Sequence, residues 1–113
     1  MTRPQRGQLW FVRLDPTEGH EQSKTRPCLV ISNNKFNLSA ADLIIVVPVT
    51  SKNKHLSLHV PIDSLNSGLA TDSFVMPEQI RAVSLERFVK MVGFVQYDVL
   101  IEVEKKIKLL LDF

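Results

Sequence analysis

Short apolar runs separated by turn-forming residues fill most of the chain before residue 96. Residues 8–15 carry apolar side chains on both faces of a predicted strand, which is typical of a small closed sheet. Residues 28–32 and 43–49 are further apolar runs, and Pro27 stands where a strand tolerates proline, at its first position. These runs predict three strands in the first half of the chain.

The second half alternates apolar and polar positions more regularly. Residues 56–62 alternate strictly, with His59 and Pro61 on the polar side, and a proline inside such a run indicates an edge strand. Ser84 is a candidate cap for one helical turn through Arg87. Three further short strands are predicted, at residues 73–76, 79–83 and 90–95.

The periodicity becomes helical near the C-terminus. Asp98 is the expected N-cap, and lysines cluster late in the segment, which suits the helix dipole. Apolar side chains recur there at spacings of three and four: Val99, Leu100, Val103, Ile107, Leu110 and Leu111. The whole pattern predicts a mainly β fold, either a small barrel or a strongly coiled sheet, with one C-terminal α-helix.

The length of 113 residues predicts a single domain over residues 1–113. The one cysteine, Cys28, lies inside an apolar run and cannot form an internal disulfide, which fits a reducing cytoplasm. No segment reads as a signal peptide or a membrane span. We therefore expect a cytoplasmic protein that does not enter a membrane.

The charged residues are distributed unevenly along the chain. Residues 1–55 carry eight Lys and Arg against four Asp and Glu, a net charge of +4, whereas residues 56–113 carry six against eight, a net charge of −2. A basic half is expected of a protein that binds a polyanion, and an ordinary solvated surface gives the same pattern. Charge alone therefore leaves both interpretations open.

Polar side chains gather at the predicted strand ends, where loops held by a sheet commonly carry function. The groups are His20, Glu21 and Gln22 with Arg26; Thr50 with Ser51; Glu78 with Gln79; and Arg81. Histidine or a carboxylate transfers protons, arginine binds phosphate and a hydroxyl donates a neutral hydrogen bond, and metal-free RNA cleavage needs all three. Each side chain also fits an ordinary surface role. His55 and His59 are expected at the surface without a function.

Other chemistries lack their sequence motifs. His20 and Glu21 do not have the spacing of a zinc-binding helix, and no second pair of ligands is visible. The chain contains neither a G-x-S-x-G nucleophile turn nor a G-x-x-x-x-G-K phosphate loop. We therefore expect no metal ion and no cofactor.

Five segments occur in an order that resembles the MazF/PemK toxin family. They are residues 6–10 (RGQLW), 14–22 (LDPTEGHEQ), 26–33 (RPCLVISN), 47–51 (VPVTS) and 78–83 (EQIRAV). The resemblance runs from about Arg6 to the C-terminal helix, and several motifs in the right order are more specific than any one short pattern.

The resemblance implies an SH3-like or CcdB/PemK-like small β-barrel with a C-terminal helix, working as a homodimer. Members of the family cut single-stranded RNA, including mRNA, at short sequences without a metal ion. Their products carry a 2′,3′-cyclic phosphate and a 5′-hydroxyl. A cognate antitoxin of the MazE or PemI type binds the toxin dimer and blocks its RNA groove.

Site residues follow from the resemblance by position. Arg26 matches the family's catalytic arginine, Thr50 its catalytic threonine, and His20 a histidine implicated in catalysis in PemK-type members. Glu78 falls where those members carry an aspartate, and the proton donor and acceptor among His20 and Glu78 stay unassigned. Met76 replaces a second arginine found in some PemK-type members. The expected RNA-binding residues are Ser51, Gln79, Arg81, Gln22 and Lys24.

Two other functions remain compatible with the resemblance. A non-enzymatic, CcdB-like toxin that binds DNA gyrase shares the barrel, because one fold serves many functions. Such a protein has no need of His20, Arg26 and Thr50 together, and residues 109–113 lack the tryptophan that gyrase poisons place near this end. An inactive RNA-binding relative is the other alternative.

Overall fold

Seven strands, two α-helices and two 3₁₀ turns make up the fold in the computed structural model, which describes residues 2–113. In chain order the strands are β1 (Gln8–Arg13), β2 (Thr25–Val30), β3 (Leu43–Thr50), β4 (Val60–Ile62), β5 (Ser73–Val75), β6 (Arg81–Ser84) and β7 (Phe88–Phe94). The helices are α1 (Asn34–Asn37) and α2 (Tyr97–Leu111), and the 3₁₀ turns are Pro77–Gln79 and Leu85–Arg87.

The strands form one antiparallel sheet in the order β4-β5-β3-β2-β1-β7, with β6 also paired to β3. The long strand β3 pairs with β2 on one side and with β5 and β6 in succession on the other. The sheet curves into a half-barrel that the C-terminal helix packs against. The predicted mainly β fold with a C-terminal helix is confirmed.

Apolar side chains on the two faces of the sheet form two separate cores, as the apolar residues on both faces of β1 predict. Leu9 and Leu29 belong to the core that α2 covers through Leu100 and Val103. The opposite face is packed by the even-numbered residues of the first three strands, with Phe88: Trp10, Val12, Cys28, Val30, Ile44 and Val46. Side chains that continue these even positions therefore emerge on that second face.

The strand predicted over residues 56–62 is shorter than its alternation suggested. Only Val60–Ile62 pairs, with β5, because residues 56–58 turn and the amide of His59 donates to the carbonyl oxygen of Leu56 at 3.0 Å. The placement of Pro61 in an edge strand is confirmed, since β4 ends the sheet.

Some sequence predictions at element ends are wrong. The strand predicted over residues 79–83 begins at Arg81, since Gln79 lies in a 3₁₀ turn. The cap of α2 is Gln96 rather than Asp98, and Asp98 lies in the first turn, where its charge still complements the helix dipole. The strand β2 begins at Thr25, so that Pro27 is its third residue. Ser84 caps the 3₁₀ turn through Arg87 as predicted, accepting from the amide of Glu86.

The position of Pro27 inside β2 limits the pairing of β2 with β3. The amide of Ile31 donates to the carbonyl oxygen of Ile45 on β3 at 3.0 Å, so odd positions of β2 direct their amides towards β3. Position 27 is odd and has no N–H. The pairing of β2 with β3 accordingly begins at Cys28, which leaves Thr25 and Arg26 beside the end of β3.

No helix among residues 2–113 is long and apolar enough to cross a membrane.

Candidate functional site

Arg26 lies near the start of β2, on the face that also carries Cys28 and Val30. The side chain is half-buried, and its Nε donates to the carbonyl oxygen of Ser23 at 2.9 Å. That bond uses one of five guanidinium N–H donors and fixes the direction of the group. The remaining fork has the geometry that binds phosphate oxygens in pairs.

Thr50 is the last residue of β3 and is 4% exposed. The register that pairs Cys28 with Pro48 places the even-numbered residues of β2 and β3 on one face, which Arg26 and Thr50 therefore share. The Thr50 Oγ1 accepts from the amide of Lys52 at 3.1 Å. The accepted bond uses one lone pair of the oxygen and leaves the hydroxyl hydrogen for a second bond, as a donor.

Arg81 adds a second cation on the same face. It begins β6 opposite Val46, and its Nη1 donates to the carbonyl oxygen of Leu14 at 3.2 Å. Burial raises the pKa of the Cys28 thiol to about 12, and the positive charges of Arg81 and Arg26 oppose that rise. Both guanidinium groups therefore lie close enough to act on the same buried sulfur.

We expect the Cys28 thiol of the folded protein to react at least about a hundredfold more slowly with iodoacetamide at pH 8 than in the unfolded chain. Burial blocks access, and a pKa of about 12 leaves almost no thiolate at that pH. Mass spectrometry of the alkylated protein with and without urea measures the two rates. Equal rates would contradict the buried position of this residue.

His20 lies on an exposed part of the loop formed by residues 14–24. The loop is held by Gln79, whose Nε2 donates to the carbonyl oxygen of His20 at 3.1 Å and whose Oε1 accepts from the amide of Gln22 at 3.3 Å. The Gln22 side chain turns inward, with its Oε1 buried. Lys24, at the end of the loop, is exposed and has a left-handed backbone with φ of 66°.

Glu78 contacts a histidine that the sequence analysis placed at the surface. The prediction for His59 is wrong: its side chain is 2% exposed, and its Nε2 lies 2.7 Å from Glu78 Oε2. His55 is exposed as predicted. The alternation over residues 56–62 gave no signal of this burial, because contact with Glu78 depends on a segment 19 residues away.

An open groove of about 570 Å³ lies beside Arg26. Its lining combines polar side chains near the start of β2 and the end of β3 with apolar side chains. The polar lining includes Lys24, Thr25, Arg26, Ser51 and Thr71, and the apolar lining includes Phe11, Pro27, Val49, Leu69 and Val92. A groove with this lining can hold an extended, negatively charged chain together with its flat, apolar parts.

The structure therefore arranges the predicted site residues in three groups. The first contains Arg26, Thr50 and Arg81, with Lys24 and Ser51 at the adjoining groove; the second contains His20, Gln22 and Gln79; the third contains Glu78 with His59. The second and third groups are connected, because Glu78 and Gln79 are neighbours in one turn. Within residues 2–113, no three His, Cys, Asp or Glu side chains form a group that could hold a metal ion.

Comparison with known proteins gives consistent matches over the whole chain. Endoribonuclease MazF9 of Mycobacterium tuberculosis is 38% identical over 95% of both chains, and endoribonuclease EndoA of Bacillus subtilis is 30% identical over 96% of this chain and 97% of its own. The crystal structure of MazF from Deinococcus radiodurans superposes with a TM-score of 0.90 at 28% identity, covering all of both chains.

Two further matches agree with these. A MazE–MazF structure from Deinococcus radiodurans superposes with a TM-score of 0.82 at 29% identity, covering 100% of this chain and 99% of that chain. Residues 5–111 match the family described as PemK-like, MazF-like toxin of type II toxin-antitoxin system. This match covers nearly the entire chain, and the chain therefore belongs to the family of PemK-like, MazF-like toxins.

Proposed function

We propose that this protein is an endoribonuclease toxin that cleaves single-stranded RNA, including mRNA, at specific short sequences without a metal ion. The observation that carries the proposal is that Arg26, Thr50 and Arg81 lie on one face of the sheet. A fixed cation beside a neutral hydroxyl donor suits a phosphate that gains negative charge during cleavage. Two relatives that match almost the whole chain are named endoribonucleases, which supports the same activity.

The reaction we propose needs only the RNA and protein side chains. The 2′-oxygen loses its proton and attacks the adjacent phosphorus, and the bond from phosphorus to the 5′-oxygen breaks. The 5′-oxygen takes up a proton, so the products are a 2′,3′-cyclic phosphate and a 5′-hydroxyl. Arg26 neutralises the non-bridging oxygens while their charge rises, and Thr50 donates a hydrogen bond to one of them.

His20 and Glu78 are the residues we propose for the two proton transfers. Histidine suits either step, because its unperturbed pKa lies near neutrality. Glu78 is partly exposed and has one carboxylate oxygen on His59, which leaves the other oxygen for a ligand. The exposed loop position of His20 gives its ring access to RNA lying beside the 77–79 turn.

Residues around these groups are proposed to bind the RNA chain. Lys24 and Ser51 line the groove beside Arg26, and Arg81 supplies a further cation on the adjoining face. Gln22 and Gln79 lie together on the other side of the site. The Gln22 Oε1 is buried and the Gln79 amide holds the loop, so we propose that their remaining side-chain N–H donors read base edges. Readout by such groups is our basis for proposing cleavage at specific sequences.

The proposed partners follow from the family. A MazE–MazF structure is among the similar solved structures, so we propose that a MazE- or PemI-like antitoxin binds this chain. We also propose that the toxin is a homodimer acting in the cytoplasm. A monomeric mass at micromolar concentration, measured by sedimentation, would contradict the dimer.

We expect the purified protein to cleave single-stranded RNA in excess EDTA, and Thr50→Val to lower kcat by about a hundredfold, because one transition-state donor is lost. Cleavage of a labelled transcript, with sequencing of the new 5′ ends, measures rate and sequence together. Thr2→Val is the matched control, since Thr2 is exposed at the N-terminus.

Three outcomes would contradict this proposal. Loss of wild-type cleavage in EDTA would exclude the metal-independent reaction. Undiminished cleavage by Thr50→Val would remove Thr50 from the site. Inhibition of DNA supercoiling by an inactive nuclease would instead indicate a gyrase-binding toxin.

A further inference from the structure

The 3₁₀ turn Pro77–Gln79 is hydrogen-bonded to both loops that lead to the Arg26 and Thr50 positions. The loop of residues 14–24 precedes β2, and Gln79 holds it at two points, at 3.1 and 3.3 Å. The loop of residues 51–59 follows β3 and ends at His59, which Glu78 holds at 2.7 Å. Adjacent side chains of one short turn thus connect two segments that are distant in the sequence.

The turn itself is fixed to the centre of the sheet. The amide of Gln79 donates to the carbonyl oxygen of Met76 at 3.0 Å. The amide of Met76 in turn donates to the carbonyl oxygen of Pro48 on β3 at 2.9 Å. The strands β5 and β6 on either side of the turn both pair with β3. The turn is therefore anchored to β3 at Met76, whereas the Glu78 and Gln79 side chains extend beyond this anchor to the two loops.

His59 is a costly residue to bury for packing alone. Its side chain is 2% exposed against 31% for Glu78, and its Nδ1 is buried with no hydrogen-bond partner among residues 2–113. A buried, unpaired ring nitrogen costs free energy that an apolar side chain of similar size would avoid. An apolar side chain could not form the hydrogen bond to Glu78, so this bond is what the histidine adds at this position.

We infer that His59 is a positioning residue, which fixes the 77–79 turn through Glu78 and so holds the loops of residues 14–24 and 51–59 in one arrangement. Because a carboxylate only accepts hydrogen bonds, the bond between His59 Nε2 and the Glu78 carboxylate requires the ring nitrogen to carry the donated hydrogen. The effect of His59 on RNA cleavage rests on the proposed function, whereas its effect on the loops does not.

The consequence for RNA falls mainly on binding. Three proposed RNA-binding residues, Gln22, Lys24 and Ser51, lie on the two loops. Loops that are no longer held must be ordered again when RNA binds, which weakens affinity. Loss of the His59–Glu78 bond is therefore expected to raise KM for RNA about tenfold and to lower kcat less.

The test compares His59→Leu, which removes the bond, with His59→Gln, whose side-chain amide donates to Glu78 in the same way. The readout is solvent exchange of the Gln22 amide by NMR, since that amide donates directly to Gln79. We expect faster exchange in His59→Leu, by up to about tenfold, because the lost His59–Glu78 bond supports the turn that carries Gln79, and wild-type exchange in His59→Gln. The control is His55→Leu, at an exposed histidine, with no change expected.

Unchanged Gln22 exchange in His59→Leu would overturn the inference. Glu78→Ala removes the same bond at its partly exposed partner, and exchange of the Gln22 amide must be faster in this variant too. The inference can therefore be tested even if His59→Leu does not fold. Glu78→Gln retains an acceptor for His59 but cannot transfer a proton. Slow, wild-type exchange of the Gln22 amide together with a reduced kcat in this variant would show that positioning and proton transfer are separate roles of Glu78. The exchange result stands even if wild-type protein proves inactive on RNA, so the two proposals fail independently.

Discussion

Arg26→Ala is expected to lower kcat for RNA cleavage by a factor of about 10²–10³ while changing KM less. The guanidinium lies on the face shared with Thr50 and is aimed by its 2.9 Å bond to the Ser23 carbonyl oxygen. Its charge is most useful when the phosphate oxygens carry extra negative charge, which happens only in the transition state. Steady-state kinetics on a short oligonucleotide in EDTA, with variants of equal thermal stability, measures the effect.

Arg26→Lys tests whether charge or shape matters at this position. Lysine keeps the positive charge but loses the planar fork and the Nε bond to Ser23, so most of the rate should remain lost. Arg3→Ala is the matched control, because Arg3 pairs with Asp42 at 2.9 Å on another part of the surface. Cleavage by Arg26→Ala at the wild-type rate would rule out Arg26 as the transition-state cation.

The elements that follow local patterns were predictable from the sequence. The apolar run of β3 and the three- and four-residue spacing of α2 each depend on residues within the element itself. The start of β4 could not be predicted in this way, because residues 56–58 alternate as a strand would and yet form a turn. Alternation states which side chains can share a face, and only pairing with β5 decides where the strand begins.

The site was predictable only as a set of strand ends. Arg26 and Thr50 were identified by resemblance, but their position on one face follows from the Cys28–Pro48 register, which is a property of two strands together. The role of Gln79 in holding His20 likewise depends on segments 59 residues apart. His59 was missed because nothing within its own segment distinguishes a buried histidine from an exposed one.

The close packing around Gly93 also depends on residues distant in the sequence and could not be predicted from its own segment. In the sequence it interrupts the predicted strand of residues 90–95, whereas in the structure it lies within β7 against the backbone of Ser67 and Gly68. A Cβ built on Gly93 would overlap the Ser67 carbonyl oxygen and lie 2.8 Å from its carbonyl carbon. Both neighbours are backbone atoms, so neither can move aside as a flexible side chain would.

Gly93→Ala is therefore expected to destabilise the fold by about 3 kcal/mol or more, in the range of severe overpacking. Gly19→Ala is the control. Gly19 has φ of 58°, and its Cβ would meet open space among residues 2–113, so only the backbone strain of about 1 kcal/mol applies. Urea unfolding followed by fluorescence of Trp10, the single tryptophan and 5% exposed, measures both changes.

The same substitution also tests how the groove is built. Leu69 and Thr71 follow Ser67 in the chain and line the groove beside Arg26, so relief of the clash by a shift of this segment would displace that wall. A folded Gly93→Ala protein should then bind RNA more weakly than wild type. Unfolding within 1 kcal/mol of wild type, together with unchanged RNA affinity, would show that the Gly93–Ser67 contact does not position the groove wall.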